Sequence, residues 1–156
     1  EKNIKTATIH AEQMGLDIDY QHISAEELAE QGEKFDAILN MEVIEHVADI
    51  PSFLSACHHL VKPCGCMTLS TLNRTMKPWV MAIAGAEYIL RWLPVGTHDW
   101  NKFLKPSELC SFANESGFDI EIMNGMVFNP VKSTWSLDPN DFSVNYLALA
   151  VKSNNG

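Results

Sequence analysis

The stretch FDAILNMEVIEHV, residues 35–47, decides the fold class. Its first half is an apolar run interrupted only by Asp36 and Asn40, which predicts a strand. Its second half brings Glu42, Glu45 and His46 directly after the strand. Because open α/β sheets bind ligands beyond the carboxyl ends of their strands, the stretch predicts a strand that leads into a functional site.

Helical patterns and apolar runs alternate on both sides of this strand. The predicted strands cover residues 17–22, 35–41, 67–72, 118–128 and 144–151. Helix ends are indicated by Gly15, by the capping box of Ser24 and Glu27, by Asp49, and by Pro106 with Gly117. This order predicts one α/β domain over residues 1–156, with a mostly parallel sheet. The last two strands have no helix between them, so we expect them to be antiparallel, with both faces of the final strand mostly buried.

Composition narrows the classes of function. The 156 residues carry 20 acidic and 11 basic side chains, for a net charge of −9. This excess of acid argues against nucleic-acid binding, which needs a clustered basic face. The chain shows no secretory signal, and none of its four cysteines forms a CxxC pair, so reduced thiols are expected. Cys64 and Cys66 are one residue apart, which is a poor spacing for zinc.

Several motifs together resemble a known family. Residues 35–47 and the turn at 60–65 resemble the fourth strand and the following turn of class I S-adenosylmethionine-dependent methyltransferases. The more specific segments are STLNR at 70–74, GAEYILR at 85–91, GTHD at 96–99 and FLKP at 103–106. With Asn129-Pro130 and the VNY of 144–146, these resemble the ubiquinone-biosynthesis O-methyltransferases over essentially the whole chain. The resemblance implies a Rossmann-like sheet with an antiparallel last strand.

The resemblance also shows what differs. The family's glycine-rich loop after its first strand has no counterpart here, nor has the acidic residue that ends its second strand. The chain therefore looks like the carboxy-terminal part of such a domain, lacking the first strands, and we expect the piece alone not to methylate. Cys64 stands where the family usually has glycine, so we expect some strain in that turn.

The family reaction defines the candidate site residues. It transfers a methyl group from S-adenosylmethionine to a hydroxyl of a polyprenylated catechol or hydroxyphenol, and a phenol of pKa about 10 needs help to ionise. Either a divalent cation or a neutral histidine can help. Glu42, Glu45 and His46 share a face if their segment is helical and would suit Mg²⁺, with Glu45 and His46 as the catalytic pair. The alternative is a structural turn with Glu42 in solvent.

Other candidates follow from the resemblance alone. Met41 would contact the adenosyl part of the cofactor, although core packing is the ordinary role of a methionine. The family's loop at Ser24, Ala25 and Glu26 meets the adenine edge, and the same residues also form an ordinary helix cap. Substrate contacts are expected from Asn73, after the fifth strand, and from His98, in the GTHD motif.

Residues 78–93 form an apolar stretch that is too short to span a bilayer. One interpretation is a helix that is buried or covers the active site. The other is an interfacial segment anchored by Trp79, Trp92 and Lys77, which would suit a polyprenyl substrate held in a membrane. The resemblance then implies a cytoplasmic protein peripheral to a bacterial inner membrane, or to the matrix side in mitochondria. A ubiquinone-biosynthesis complex is a further expected partner.

Two alternatives to this function stay open. One is a related methyltransferase that acts on another small acceptor. The other is a non-catalytic remnant that serves as a scaffold, which the missing glycine-rich loop would favour.

Overall fold

The computed structural model describes residues 2–75, 100–129 and 131–153. The helices are α1 (Lys2–Met14), α2 (Ala25–Glu30), α3 (Ile50–Leu60) and α4 (Pro106–Glu115). The strands are β1 (Phe35–Met41), β2 (Val61–Leu72), β3 (Phe118–Asn129), β4 (Thr134–Asp138) and β5 (Asn145–Lys152). Short 3₁₀ turns cover Ile44–His46 and Trp100–Lys102.

The strands form one sheet in the order β1-β2-β5-β3-β4. Strand β1 pairs in parallel with β2, and the pairings β2–β5, β5–β3 and β3–β4 are antiparallel. The expected antiparallel last strand is therefore confirmed. Three of the five described strands, β1, β2 and β3, run in the same direction as expected, but only β1 and β2 are hydrogen-bonded in parallel, because β5 lies between β2 and β3. Strand β3 runs in the same direction as β2 but does not touch it.

Local signals placed the helix ends correctly. The Ser24 hydroxyl accepts from the Glu27 N–H at 3.2 Å, and the Ser24 N–H donates to the Glu27 carboxylate at 2.9 Å. Asp49 caps α3 by accepting from the Ser52 N–H at 2.8 Å. Gly117, just after α4, has φ +84°, a conformation that favours glycine.

The strand predicted over residues 17–22 is not formed, and this segment has no regular structure. A strand needs a hydrogen-bonded neighbour, and no described strand pairs with this segment. Strand β1, the edge of the described sheet on this side, pairs only with β2. The segment has the sequence pattern of a strand, but no described strand lies beside it to form the hydrogen bonds that a strand needs.

The core lies on one face of the sheet. Met67 and Leu69 of β2 and Tyr146 of β5 are essentially buried there, together with Leu54 of α3 and Leu109 of α4. Burying each such side chain contributes about 1.5–3 kcal/mol. The opposite face is less covered, since the alternate residues of β5 are only half-buried. No residue of β5 is exposed, so the expectation that both faces of the last strand are mostly buried is confirmed, with one face buried more completely than the other.

No helix among the described residues is long and apolar enough to cross a membrane. The apolar stretch 78–93 and His98 lie outside the described residues.

Candidate active site

The end of β1 is tied to the end of β2 through Glu42. This residue follows the strand with φ 53°, in the left-handed region, so the chain turns sharply there. The Glu42 N–H donates to the carbonyl oxygen of Ser70 at 3.1 Å and lies 3.0 Å from its Oγ. The Ser70 hydroxyl in turn donates to the Glu42 carboxylate at 3.0 Å. One serine thus fixes both the backbone and the side chain of Glu42.

Glu45 is buried inside the 3₁₀ turn that follows. Its side chain is 3% exposed, and its carboxylate accepts a hydrogen bond from Thr71 Oγ1 at 2.8 Å. Thr71 itself is fully buried. A charged group removed from water needs such a partner, so Thr71 stabilises the turn that carries Glu45.

The three predicted ligands do not converge. Glu42 lies before the 3₁₀ turn rather than on a helical face with Glu45 and His46, so the expected shared face is wrong. Ser70 and Thr71 are consecutive in β2, and each hydroxyl donates to a different carboxylate, Ser70 to Glu42 and Thr71 to Glu45. Among the described residues, no group of three His, Cys, Asp or Glu side chains is placed to hold a metal ion.

His46 differs from Glu45 in being exposed. It ends the 3₁₀ turn, and its N–H donates to the carbonyl oxygen of Val43 at 2.8 Å. The imidazole therefore stands at the carboxyl end of β1, on a turn that the buried Glu45 anchors. This arrangement leaves His46 available to exchange a proton with a bound molecule.

A cavity of about 310 Å³ lies between β1, α2 and α3. Ser24 and Ala25 line it together with Asn40 and Val43, whereas Glu26 does not. Met41 is not part of this lining; it is 44% exposed at the end of β1. The structure thus brings two of the four predicted cofactor residues to one cavity beside the strand.

Asn40 is a residue whose importance the sequence did not reveal. It is 3% exposed, and neither its amide nitrogen nor its amide oxygen has a hydrogen-bond partner within the described part of the chain. An unpaired buried amide is costly, and one that lines a cavity indicates a polar ligand there. The available signal was its position as a polar interruption of an apolar strand. A polar residue at such a position can contact a ligand or can simply be tolerated within the strand. The sequence alone does not distinguish these two cases.

Asn73 joins the end of β2 to the segment before β5 by hydrogen bonds. Its amide nitrogen donates to the Phe142 carbonyl at 2.6 Å, and its N–H donates to the Val144 carbonyl at 2.8 Å. Thr75 Oγ1 adds a bond to the Ser143 carbonyl at 2.6 Å. These bonds hold the segment before β5 against the end of β2. The predicted contact of Asn73 with substrate stays a prediction.

A second cleft, of about 550 Å³, opens beside Glu45. Arg74 and Glu108 line it as an ion pair, and the Glu108 carboxylate also accepts from the Lys105 N–H at 3.0 Å. The Tyr146 hydroxyl donates to the Leu104 carbonyl at 3.0 Å nearby, and burial raises the pKa of that phenol. Polar groups from the segment after β2, from α4 and from the turn after β1 therefore surround a single opening.

The sheet, the two clefts and the groups at the carboxyl ends of β1 and β2 define an α/β protein with its candidate ligand sites at the end of a sheet. A family model described as a methyltransferase domain matches residues 6–121. The chain belongs to this methyltransferase family.

Individual relatives match almost the whole chain. It is 55% identical over 151 residues to the ubiquinone biosynthesis O-methyltransferase of Cereibacter sphaeroides, and 53% identical over 152 residues to that of Dinoroseobacter shibae. Each match covers 97% of this chain but only 61% of the relative. The chain therefore spans about three fifths of the length of these relatives.

Solved structures share the fold. An S-adenosylmethionine-dependent methyltransferase from Clostridium acetobutylicum matches with a TM-score of 0.67 and 10% identity, over 99% of this chain and 72% of that one. The magnesium protoporphyrin IX methyltransferase of Synechocystis, solved with bound SAH, matches with a TM-score of 0.58 and 18% identity, over 98% and 60%. At these identities the likeness supports the class I methyltransferase sheet.

Proposed function

We propose that the protein transfers a methyl group from S-adenosylmethionine to a hydroxyl of a polyprenylated catechol or hydroxyphenol in ubiquinone biosynthesis. The observation that carries this proposal is the 55% identity, over 97% of the chain, to a relative named for that step. A scaffold role has no comparable support, because relatives at 50–55% identity bear the enzyme's name.

The cavity beside β1 is the proposed place for the adenosyl part of the cofactor. Its unpaired Asn40 amide can offer both a donor and an acceptor to a heterocycle, and Ser24 and Ala25 close the cavity at the start of α2. Met41, exposed at the end of β1, would pack against the ligand from the strand side. The cofactor supplies a methyl carbon on a positively charged sulfur.

The chemical step requires an oxygen nucleophile that loses its proton as it attacks the methyl carbon. His46 is the proposed base, because it is exposed at the strand end and a neutral imidazole can take up that proton. Glu45 would act by holding the turn of His46 in place through its bond to Thr71. The substrate ring would enter through the cleft that Glu45, Arg74 and Glu108 line.

The sequence also predicted a magnesium site, and the geometry of the described residues does not fit such a site. The carboxylates of Glu42 and Glu45 accept hydrogen bonds from Ser70 and Thr71, respectively, and no group of three ligating side chains forms among the described residues. A metal site would require both carboxylates to leave these partners. We therefore assign the proton transfer to His46 without a metal, and a chelator distinguishes the two models.

The experiment measures methyl transfer by the full-length protein to a polyprenylated catechol in detergent micelles, with and without excess EDTA. His46→Ala should lower the rate by roughly 10²–10⁴-fold, as removal of a general base does. His10→Ala, on the exposed surface of α1, is the matched control and should keep the full rate. Full activity of His46→Ala would overturn the base assignment, and loss of activity in EDTA would restore the metal model.

Contact with a membrane surface through residues 78–93 is proposed as the way in which the enzyme reaches a polyprenyl substrate. The support is the apolar composition of that stretch, with Trp79 and Trp92 near its ends. Flotation of the full-length protein with liposomes should weaken when both tryptophans are replaced by serine. Unchanged flotation would favour the alternative, in which the stretch covers the active site. Membership in a ubiquinone-biosynthesis complex stays a proposal that follows from the relatives' name.

A further inference from the structure

The amino end of β2 contains an insertion longer than the one-residue bulge of β3 between Ile120 and Ile122. Phe35 pairs with Val61, and Ala37 pairs with Cys66, so two steps along β1 correspond to five along β2. The extra residues form a bulge that ends in Cys64, Gly65 and Cys66. A bulge of this kind re-aims side chains away from the regular ladder.

Cys64 occupies a conformation that costs energy. Its φ is 63°, in the left-handed region where a side chain is disfavoured by about 1–2 kcal/mol per residue. Gly65 is constrained as well, because an added Cβ would lie 2.7 Å from the Asp36 carbonyl oxygen and 2.9 Å from Val61 Cγ1. The backbone therefore holds two thiol-bearing residues on either side of a glycine that cannot be enlarged.

The two thiols are accessible, unlike the thiol of the core. Cys64 is exposed and Cys66 is half-buried, whereas Cys57 is buried. Burial raises the pKa of the Cys57 thiol to about 12, which leaves that group unreactive. An open groove of about 440 Å³ runs beside Cys64 and is lined by Gly65, Glu121 and Lys152. A small thiol-reactive molecule has room to approach Cys64 there.

The spacing of Cys64 and Cys66 also suits a disulfide bond between them. Consecutive Cα atoms are about 3.8 Å apart, so residues two positions apart lie within roughly 7 Å, close to the separations that disulfides span. Glycine between them permits the backbone rotations that a small ring requires. In a reducing compartment, disulfides of this kind are transient and respond to the redox state.

We propose that Cys64 and Cys66 form a redox-responsive dithiol, which small-molecule disulfides such as oxidised glutathione convert to an internal disulfide. The Cys64 thiolate attacks one sulfur of the small disulfide and expels a thiolate. The Cys66 thiolate then attacks the Cys64 sulfur and expels the second thiol. Both cysteines lose their protons and are oxidised, and one small disulfide is reduced to two thiols.

The test treats the full chain with oxidised glutathione and follows intact mass and peptide maps. The wild-type chain should lose two hydrogens on the peptide that holds Cys64 and Cys66, and a reductant should reverse the change. Cys66→Ser should instead retain a glutathione adduct on Cys64, because the resolving thiol is gone. Cys110→Ser, which removes another half-buried thiol, is the matched control and should form the bridge as the wild type does.

Either of two results would overturn the proposal: a wild-type chain that keeps a stable adduct on Cys64, or one that stays unmodified. Cys64→Gly provides a second variant that the backbone accepts without strain. It should give no bridge at this bulge, because Cys66 is then the remaining thiol there. A bridge-like mass loss in that variant would also contradict the assignment, since it would have to come from other thiols.

Discussion

The two ends of β2 are built in opposite ways. At the carboxyl end, Ser70 and Thr71 are buried, and their hydroxyls hold the carboxylates of Glu42 and Glu45. At the amino end, the strand bulges and Cys64 is exposed in a strained conformation. The comparison indicates that this protein places its proposed chemistry where side chains are fixed by paired hydrogen bonds. The opposite end tolerates a side chain at a backbone position that favours glycine.

The largest effect is expected at the carboxyl end. Thr71→Val keeps the shape of the side chain but leaves the buried Glu45 carboxylate without its donor, which should lower the free energy of unfolding by about 1.5–3 kcal/mol. Thr71→Ser should recover most of this loss. Urea unfolding of the three proteins measures it. A Thr71→Val protein as stable as the wild type would show that the bond does not anchor the turn.

A smaller loss is expected from Gly65→Ala at the amino end. The new methyl group would meet the Asp36 carbonyl oxygen and Val61, so we expect about 1–2 kcal/mol of destabilisation from overpacking. Calorimetry should show a lower Tm. Its control is Gly32→Ala, where the Cβ would meet open space and only the positive φ opposes the change. An unchanged Tm in Gly65→Ala would mean that the close approach at Gly65 contributes nothing.

Cys64→Gly should have the opposite effect and raise the free energy of unfolding. Glycine adopts a φ of 63° without the steric cost that a side chain brings, so the variant should gain about 0.5–1 kcal/mol, part of the relief being offset by the flexibility of glycine in the unfolded chain. Urea unfolding at neutral pH measures the gain. A loss of stability would mean that the Cys64 side chain makes a favourable contact that outweighs the strain.

The smallest effect is expected from His58, which packs edge-on against Phe118 near the same end of the sheet. Burial lowers the pKa of His58 from its ordinary value of 6.5, and Lys152, His59 and Lys34 lower it further. The unfolded chain therefore takes up this proton more readily than the folded chain. The contribution of neutral His58 to the free energy of unfolding is complete above about pH 6.5. It declines as the pH falls through that value. Tm measured from pH 7.5 to pH 5 should fall less steeply in His58→Gln than in the wild type.

The sequence predicted best what depends on neighbouring residues. The capping of α2 by Ser24, the capping of α3 by Asp49 and the end of α4 near Gly117 rest on contacts within a few positions of the chain, and all three are confirmed. The expected strain at Cys64 also follows from a single backbone position and agrees with its positive φ. Local patterns carry such information because the interacting groups lie within one turn.

The failures concern partners that are distant in sequence. The segment 17–22 has a strand pattern, but a strand forms only beside another strand. The expected face of Glu42, Glu45 and His46 assumed that local spacing determines geometry, whereas Ser70 and Thr71 set the carboxylates from across the sheet. Asn40 was missed for the same reason, because its lack of a hydrogen-bond partner is a property of the fold and not of its strand.

The most direct test compares the two ends of β2 in one assay. Methyl transfer from S-adenosylmethionine to a polyprenylated catechol is measured for the full-length protein carrying His46→Ala, Thr71→Val, or Cys64→Gly with Cys66→Ser, each verified as folded by circular dichroism. The account predicts a large loss for His46→Ala, a partial loss for Thr71→Val, and an unchanged rate for the cysteine pair under reducing conditions. Full activity of His46→Ala together with loss of activity in the cysteine pair would contradict it.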